Sequence, residues 1–213
     1  NAMNQLDVPN EDARSLVFDD TLLFDIDKFS GYDRTEGGTR ANVGFQYTMQ
    51  RYNGGYVRAV VGQSYHLGGS NEFQAGTGLE NDTSDIVAGL YVQPMQDFSF
   101  IGQGRFDDDD LELKRTDLSA NVNYGPATGS VVYANIDPQL GTGITTQREE
   151  IQASGTLQLA KYWSVFGQTR YDIAGSQRIE DRLGIKFADD CFALSVTYSE
   201  TFIRDRDIQP NES

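Results

Sequence analysis

A two-residue alternation of apolar and polar side chains runs through most of this 213-residue chain and limits the folds open to it. Between Thr39 and Arg51, the odd positions from 41 to 49 are apolar or aromatic. The even positions carry Arg, Asn, Gln and Thr, with one glycine. Successive residues of a β-strand point to opposite sides of the sheet, so this segment predicts a strand with one apolar and one polar face.

The alternation repeats along the chain and predicts about ten strands of roughly nine to thirteen residues, longer than the usual five or six. The 22 glycines, 11 tyrosines and 12 phenylalanines fit a β-protein with many turns. The predicted apolar faces of the later strands are Leu118, Ala120, Val122 and Tyr124; Val132, Ala134 and Ile136; Ile151, Ala153, Leu157 and Leu159; Trp163, Val165, Gly167 and Tyr171; Ile179, Leu183, Ile185 and Phe187; and Phe192, Leu194, Val196 and Tyr198.

The connections between the predicted strands alternate between tight and long. Asn53-Gly54 is a favoured pair for a type I′ hairpin turn. Tight turns at one end and longer loops at the other predict an all-β fold, an antiparallel up-and-down meander. The tight turns fall at 53–55, 94–97, 125–128, 160–161 and 188–190, and the longer loops at 68–83, 107–110, 137–148 and 173–177.

Two environments suit such a sheet. In a soluble β-sandwich or a lipocalin-like binding module the apolar face is internal, whereas in a membrane β-barrel it meets lipid. The predicted strands are long enough to cross a membrane when tilted, large aromatics cluster near strand ends, and the polar faces mix Gln, Asn, Ser, Arg and Asp. These details favour part of a transmembrane β-barrel, with the soluble binding module as the alternative.

Charge and composition exclude several other classes. The 17 basic and 32 acidic residues give a formal net charge of −15, which disfavours nucleic acid as a partner because phosphate binding needs a basic surface. No apolar run approaches the roughly 18 residues of a membrane-spanning helix. The single cysteine, Cys191, rules out a disulfide within this chain and a cysteine-based metal site.

Short motifs near the N-terminus lead into the first predicted strand. They are Asn10-Glu11-Asp12, Phe18-Asp19-Asp20, Leu23-Phe24, Lys28-Phe29-Ser30-Gly31-Tyr32-Asp33-Arg34-Thr35-Glu36-Gly37-Gly38-Thr39-Arg40, Gly44 and Tyr47. This stretch resembles the LPS-assembly outer-membrane protein family (LptD, also called organic solvent tolerance protein). The resemblance implies the C-terminal part of a very large outer-membrane β-barrel of a Gram-negative bacterium, which delivers lipopolysaccharide to the outer leaflet.

The resemblance also implies two protein partners, a plug lipoprotein inside the barrel and a periplasmic β-jellyroll in the N-terminal part of the same parent chain. On this basis we expect a passive conduit without enzymatic activity or cofactor. Its polar lumen would carry sugars, and its lipid-facing wall would let acyl chains leave. The aromatic residues expected to contact lipid are Phe98, Phe100, Trp163 and Phe192.

The chain divides into four expected parts. Residues 1–3 are interpreted as a tag remnant, 4–37 as the loop segment with the family motif, 38–203 as barrel hairpins, and 204–213 as a polar tail where the barrel is truncated. A barrel fragment leaves two sheet edges and an apolar face uncovered. The isolated fragment is therefore expected to close on itself, self-associate or need detergent.

The densest part of the motif places charges of both signs directly before a strand. It comprises Phe29, Ser30, Gly31, Tyr32, Asp33, Arg34, Glu36 and Gly37. We expect an ordered structural loop folded back on the lumen, in which Arg34 pairs with Asp33, Glu36 or a neighbouring strand. An ordinary charged turn entering a strand is the alternative.

Cys191 follows a tight turn that lies at the same end of the strands as Asn53-Gly54. The resemblance implies a disulfide between Cys191 and the N-terminal periplasmic region, because family members carry cysteines near this point. Where they often have adjacent cysteines, this chain has one. A small strand residue facing inward is the alternative.

Two further groups of residues have a chemical interpretation. Ser64 and His66 would share one strand face, as in an outer-membrane lipase, although such pairs are common by chance. The acidic run from Asp107 to Asp110 offers oxygen ligands for Ca²⁺, but a solvated acidic loop is the simpler interpretation. We therefore expect no catalytic residue and no metal site.

Overall fold

A single antiparallel sheet of ten strands makes up most of the computed structural model, which describes residues 18–25, 28, 37–52, 54–138 and 145–202. The sheet follows chain order from β1 to β10, so the all-β up-and-down meander is confirmed. The strands are β1 (Thr39–Gln50), β2 (Tyr56–Gly68), β3 (Ile86–Met95), β4 (Phe98–Phe106), β5 (Leu113–Tyr124), β6 (Ala127–Ile136), β7 (Arg148–Ala160), β8 (Trp163–Asp172), β9 (Gln177–Ala188) and β10 (Ala193–Thr201).

The tight turns lie within about two residues of the predicted positions, and the turn predicted at 125–128 is the two-residue loop 125–126. In the first hairpin, the Gly54 N–H donates to the Arg51 carbonyl at 3.1 Å, and the Arg51 N–H donates to the Gly55 carbonyl at 2.7 Å. Gly54 has a φ of 84°, in the left-handed region that favours glycine. Asn53 lies outside the described residues. Because the strands are antiparallel neighbours, this turn and the other tight turns lie at one end of the sheet, called the tight-turn end.

The sheet is open. Strands β1 and β10 form its two edges, and within the described ranges each pairs with one neighbour only. An open meander of long strands is consistent with a fragment of a barrel. No helix among the described residues has the length and the apolar composition needed to cross a membrane.

The apolar face of the sheet is exposed across its whole width. Phe45 on β1 is 67% exposed, Leu183 on β9 65% and Tyr198 on β10 65%. In a soluble sandwich, residues at these positions would form the core. The four aromatics expected to contact lipid are also at least 39% exposed. Of these, Phe192 lies in the turn before β10, which begins at Ala193.

The prediction for β6 was wrong about its faces. Val132 pairs with Ser119, Ala134 with Asp117 and Ile136 with Arg115, so all three apolar residues lie on the polar face. The two-residue loop 125–126 fixes this register, and a shift of one residue would reverse the faces of β6. Two consecutive valines, at 131 and 132, make the alternation of this strand ambiguous.

The polar face has a covered half and an uncovered half. Over β1–β4 lie residues 18–25, here called the covering segment, and residues 69–85, the β2–β3 connection. Together with the polar face of β3 they form a hydrophobic core. Among the described residues, no element covers the polar face of β5–β10. The core residues are Phe18, Leu23, Phe73, Leu79 and Val87.

Candidate functional site

The covering segment is a compact turn organised by Asp19. The Asp19 carboxylate accepts hydrogen bonds from the backbone N–H groups of Thr21 at 2.9 Å and Leu22 at 3.0 Å, and from the Thr21 hydroxyl at 2.6 Å. The Asp25 N–H donates to the Leu22 carbonyl at 3.1 Å and closes the turn. Aspartate favours such turns because its carboxylate reaches the N–H groups that follow it.

Asp20 anchors this turn to the polar face of the sheet. Its side chain is buried, with 6% of the residue exposed. The Tyr91 hydroxyl on β3 donates to one carboxylate oxygen at 2.8 Å, and the Gln103 amide on β4 donates to the other at 2.7 Å. A buried carboxylate is stable only when it is hydrogen-bonded, so this pair of contacts fixes the segment to two strands.

Three polar-face glycines make room for the covering segment. A Cβ atom at Gly89 would lie within 2.6 Å of the Asp20 carboxyl carbon and both its oxygens. A Cβ at Gly62 would lie 2.3 Å from the Leu23 side chain. Gly44 is paired with Gly62, and a Cβ there would lie 2.7 Å from the Phe24 ring. Glycine within a strand commonly marks such a close approach.

Arg105 on β4 fastens the β2–β3 connection. Its residue is 3% exposed, and its guanidinium donates to the carbonyls of Thr77 at 2.5 Å and Gly76 at 3.1 Å. Its Nε lies 3.2 Å from a carboxylate oxygen of Asp85. Glu80 adds to the network by accepting the N–H groups of Gly76 and Gly78. The long connection is therefore held to the sheet by buried charges.

Burial raises the pKa of Asp85 to about 6, from an ordinary value of 3.8. Loss of hydration is the largest cause, and it outweighs the opposing attraction of Arg105. The nearby carboxylates of Glu80, Asp107 and Asp108 also raise the pKa. Asp85 thus binds its proton more readily in the folded protein than in the unfolded chain.

This pKa predicts a pH dependence. Between about pH 4 and 6 the folded state binds more protons at Asp85 than the unfolded state, so the β2–β3 connection should lose stability as the pH rises through this window. Below the window Asp85 is protonated in both states, so the stability is at its full value there and no longer changes with pH at this residue. Hydrogen exchange of amides 76–85, corrected for its intrinsic pH dependence, measures this effect. Asp85→Asn should flatten the profile, and greater protection at higher pH would contradict the prediction.

Part of the predicted loop motif lies within the described structure. Gly38 has a φ of 82°, and a Cβ there would lie within 3.0 Å of the Gly68 carbonyl, the Ser70 carbonyl and His66 Nε2. The glycine pair 37–38 therefore allows the chain to pass close to the β2–β3 connection as it enters β1. The other motif residues lie outside the described residues: Phe29, Ser30, Gly31, Tyr32, Asp33, Arg34 and Glu36.

Ser64 and His66 contact the β2–β3 connection. The Ser64 N–H donates to the Ser84 hydroxyl at 2.8 Å, and the His66 N–H donates to the Asp82 carbonyl at 2.6 Å. His66 Nδ1 also lies 3.5 Å from an Asp82 carboxylate oxygen. These contacts bind β2 to the loop that follows it, which is a structural use of both residues.

The acidic loop after β4 is ordered by its own hydrogen bonds. The Asp107 carboxylate accepts the N–H of Asp109 at 3.0 Å, and this contact is the main cause that lowers the pKa of Asp107. Ligand oxygens of Asp107, Asp108 and Asp109 lie within 4.8 Å of one another. Exposed acidic groups adopt such a spacing without a cation, so the prediction of a solvated loop stands as a prediction.

The tight-turn end carries exposed aromatics and the cysteine. Ring centroids of Phe187 and Trp163 are 5.0 Å apart, and those of Phe187 and Phe192 are 6.4 Å apart. Cys191 lies in the turn before β10, exposed and with a free thiol, and its N–H donates to Asp189 at 2.9 Å. These aromatics lie at or beside strand ends, in agreement with the clustering described from the sequence. The disulfide of Cys191 stays a prediction.

The sequence predicted that the sheet has one apolar and one polar face. It did not predict that the covering segment and the β2–β3 connection lie over the polar face of β1–β4. Asp20 belongs to a quoted motif, yet nothing in the local pattern indicates that its carboxylate meets Tyr91 and Gln103, which are more than 70 positions away. Arg105 occupies a polar position in the alternation of β4, so the sequence pattern does not distinguish it from a residue that faces water. One available signal was the presence of glycines on polar faces of predicted strands, at 44, 62 and 89.

Comparison with known proteins identifies similar sequences. Residues 2–163 match the family model described as LptD, LPS transport system D. The LPS-assembly protein LptD of Saccharophagus degradans is 26% identical over 202 residues, covering 87% of this chain and 23% of that protein. The LPS-assembly protein LptD of Nitrosococcus oceani is 26% identical over 190 residues, covering 87% of this chain and 25% of that protein. The LPS-assembly protein LptD of Escherichia coli K12 is 24% identical over 214 residues, covering 92% of this chain and 27% of that protein. The chain thus spans about a quarter of the length of these relatives.

Proposed function

Because the chain belongs to the LptD family, we propose that it forms part of the outer-membrane translocon that assembles lipopolysaccharide into the outer leaflet of a Gram-negative bacterium. The observation that supports this proposal is the difference between the two faces of the sheet. The apolar face is exposed along all ten strands, while the opposite face is polar and half covered. A wall with lipid on one side and a wet lumen on the other requires this distribution.

The chain acts as a passive conduit in this proposal. Sugars of the cargo move along the uncovered polar face, and Phe98, Phe100, Trp163 and Phe192 contact lipid from the other side. The 39 to 56% exposure of these four aromatics supports that assignment. The soluble binding module is disfavoured because it needs a second layer packed on the apolar face, and in the described part of the chain these side chains are exposed. The energy for transport comes from elsewhere, and the chain performs no chemical step.

The partners follow from the same proposal. The uncovered polar face of β5–β10 has room for the plug lipoprotein of the translocon, and the two unpaired edges continue into other strands of the parent barrel. Cys191 forms a disulfide with the periplasmic jellyroll region of the parent chain, and its exposed thiol at the tight-turn end supports this role. In this proposal the motif 29–37 keeps the role expected from the sequence, an ordered structural loop folded back on the lumen.

A photoreactive residue placed on each face of β5 in the full-length protein tests the proposal. Ser119 lies on the polar face and its neighbour Leu118 on the apolar face. In living cells, a probe at Ser119 should form an adduct with lipopolysaccharide that disappears when lipopolysaccharide synthesis is stopped, because a conduit holds cargo only in transit. A probe at Leu118 should form lipid adducts that persist. Absence of lipopolysaccharide at Ser119 would contradict the conduit.

A further inference from the structure

Phe166 breaks the alternation of its strand. It pairs with Thr156 on β7 and Gly184 on β9, which places it on the polar face. Among the polar-face positions of the described strands β5–β10, it is the one aromatic residue. A phenylalanine ring at such a position offers a flat apolar contact surface among polar neighbours.

A glycine opposite Phe166 lets its ring lie against the sheet. A Cβ atom at Gly184 would be 2.3 Å from the Phe166 Cζ and 2.8 Å from its Cε1, so no other residue fits there without moving the ring. The ring therefore covers the Gly184 backbone with one side. Phe166 is half-buried, so part of its ring remains accessible and lines a cavity on the polar face.

Polar groups surround this ring. Beside it lies a cavity of about 510 Å³, lined by Phe166 together with Asn121, Asn123, Thr156, Gln168 and Arg182. Amides and hydroxyls of this kind hydrogen-bond to neutral polar ligands without the cost of burying a charge. The arrangement joins a flat apolar surface to a ring of hydrogen-bonding groups.

Two cations flank the glycine on the same face of β9. Arg182 and Lys186 stand two positions before and two positions after Gly184. Arg182 donates to Glu180 at 2.6 Å, yet 43% of its side chain stays exposed. Lys186 is exposed, and in the described part of the chain no carboxylate pairs with it. With Glu180 counted, these three residues carry a net charge of +1, which in a chain of net charge −15 favours an anionic ligand over a cation at this point.

We propose that Phe166, Arg182 and Lys186 form a binding subsite for an acidic sugar, one that carries a phosphate or a carboxylate. The C–H groups on one side of a sugar ring rest on the negative face of the aromatic ring. The guanidinium and ammonium groups bind the anionic substituent, and the neighbouring amides bind hydroxyls. The subsite rests on the proposed conduit function and adds a position where cargo pauses.

The test uses the full-length protein in cells, with a photoreactive residue at Thr156, the cross-strand neighbour of Phe166. Lipopolysaccharide should form an adduct at this position. Phe166→Leu keeps an apolar cover over Gly184 but removes the aromatic face, and it should reduce the adduct at least about fivefold. Phe166→Tyr should retain it. Replacing Arg182 and Lys186 with glutamine should reduce it by a similar factor.

The probe at Ser119 is the internal reference. If lipopolysaccharide reacts at Ser119 but not at Thr156, or if Phe166→Leu leaves the Thr156 adduct unchanged, the subsite is wrong and the conduit stands. A protein adduct alone at Thr156 would show that this face docks a partner and would overturn the subsite. If neither probe reacts with lipopolysaccharide, both the conduit and the subsite fail. Equal amounts of folded protein in the outer membrane must be confirmed for each variant.

Discussion

Replacing Arg105 with methionine is expected to destabilise the protein by about 3 to 5 kcal/mol. The substitution removes three donors from a buried site and leaves the Asp85 carboxylate and the carbonyls of Gly76 and Thr77 without their partner. Methionine fills a similar volume, so the loss would report the charge and the hydrogen bonds. The midpoint of urea-induced unfolding in lipid vesicles measures the effect.

An exposed arginine provides the matched control. Arg178 pairs with Asp181 at 3.1 Å, but 64% of its side chain is exposed, and Arg178→Met should cost less than about 1 kcal/mol. A double variant, Arg105→Met with Asp85→Asn, should recover part of the lost stability because the unpaired carboxylate is removed. If Arg105→Met lowers the free energy of unfolding by no more than Arg178→Met does, the buried network around Arg105 contributes little to stability.

Gly89→Ala is expected to release the covering segment from the sheet. The new methyl group would occupy the space of the Asp20 carboxyl group, which would lose its contacts with Tyr91 and Gln103. Leaving a buried carboxylate without partners costs about 3 kcal/mol, which corresponds to hydrogen exchange roughly a hundredfold faster in the segment. Exchange of the Thr21 and Leu22 amides, measured by mass spectrometry, tests this expectation.

Gly167→Ala is the control for a strand glycine. Gly167 lies on the apolar face, and a Cβ there would have no neighbour closer than 3.5 Å. This substitution should leave exchange in residues 18–25 unchanged. If Gly89→Ala also leaves it unchanged, then Asp20 does not hold the segment to the sheet.

Most of the sheet could be predicted from the sequence because strand alternation is a local property. The hairpin around Gly54 and the exposed apolar side chains of β1 and β10 follow from neighbouring residues alone. Local patterns fail where both faces of a strand carry similar side chains. In β6, the pair Val131-Val132 satisfies either register, and the turn at 125–126 decides between them.

The covered half of the polar face could not be predicted in the same way. Its contacts join residues far apart in the chain, such as Asp20 with Gln103 and Arg40 with the Leu79 carbonyl. A polar residue that faces water and one that faces a buried partner have the same place in an alternating pattern. Exceptions to the pattern carry more information. Glycines on the polar face mark the covering segment, and Phe166 marks the proposed subsite.

The central claim is that the exposed apolar face of the sheet contacts lipid, and Trp163 tests it most directly. In the full-length protein with Trp163 as its only tryptophan, lipids with brominated acyl chains should quench the fluorescence strongly and aqueous iodide weakly. Moving the tryptophan by one residue, with Ser164→Trp in a Trp163→Phe background, should reverse the result because residue 164 lies on the polar face. Weak lipid quenching of Trp163 would contradict the account and make the apolar face an internal surface.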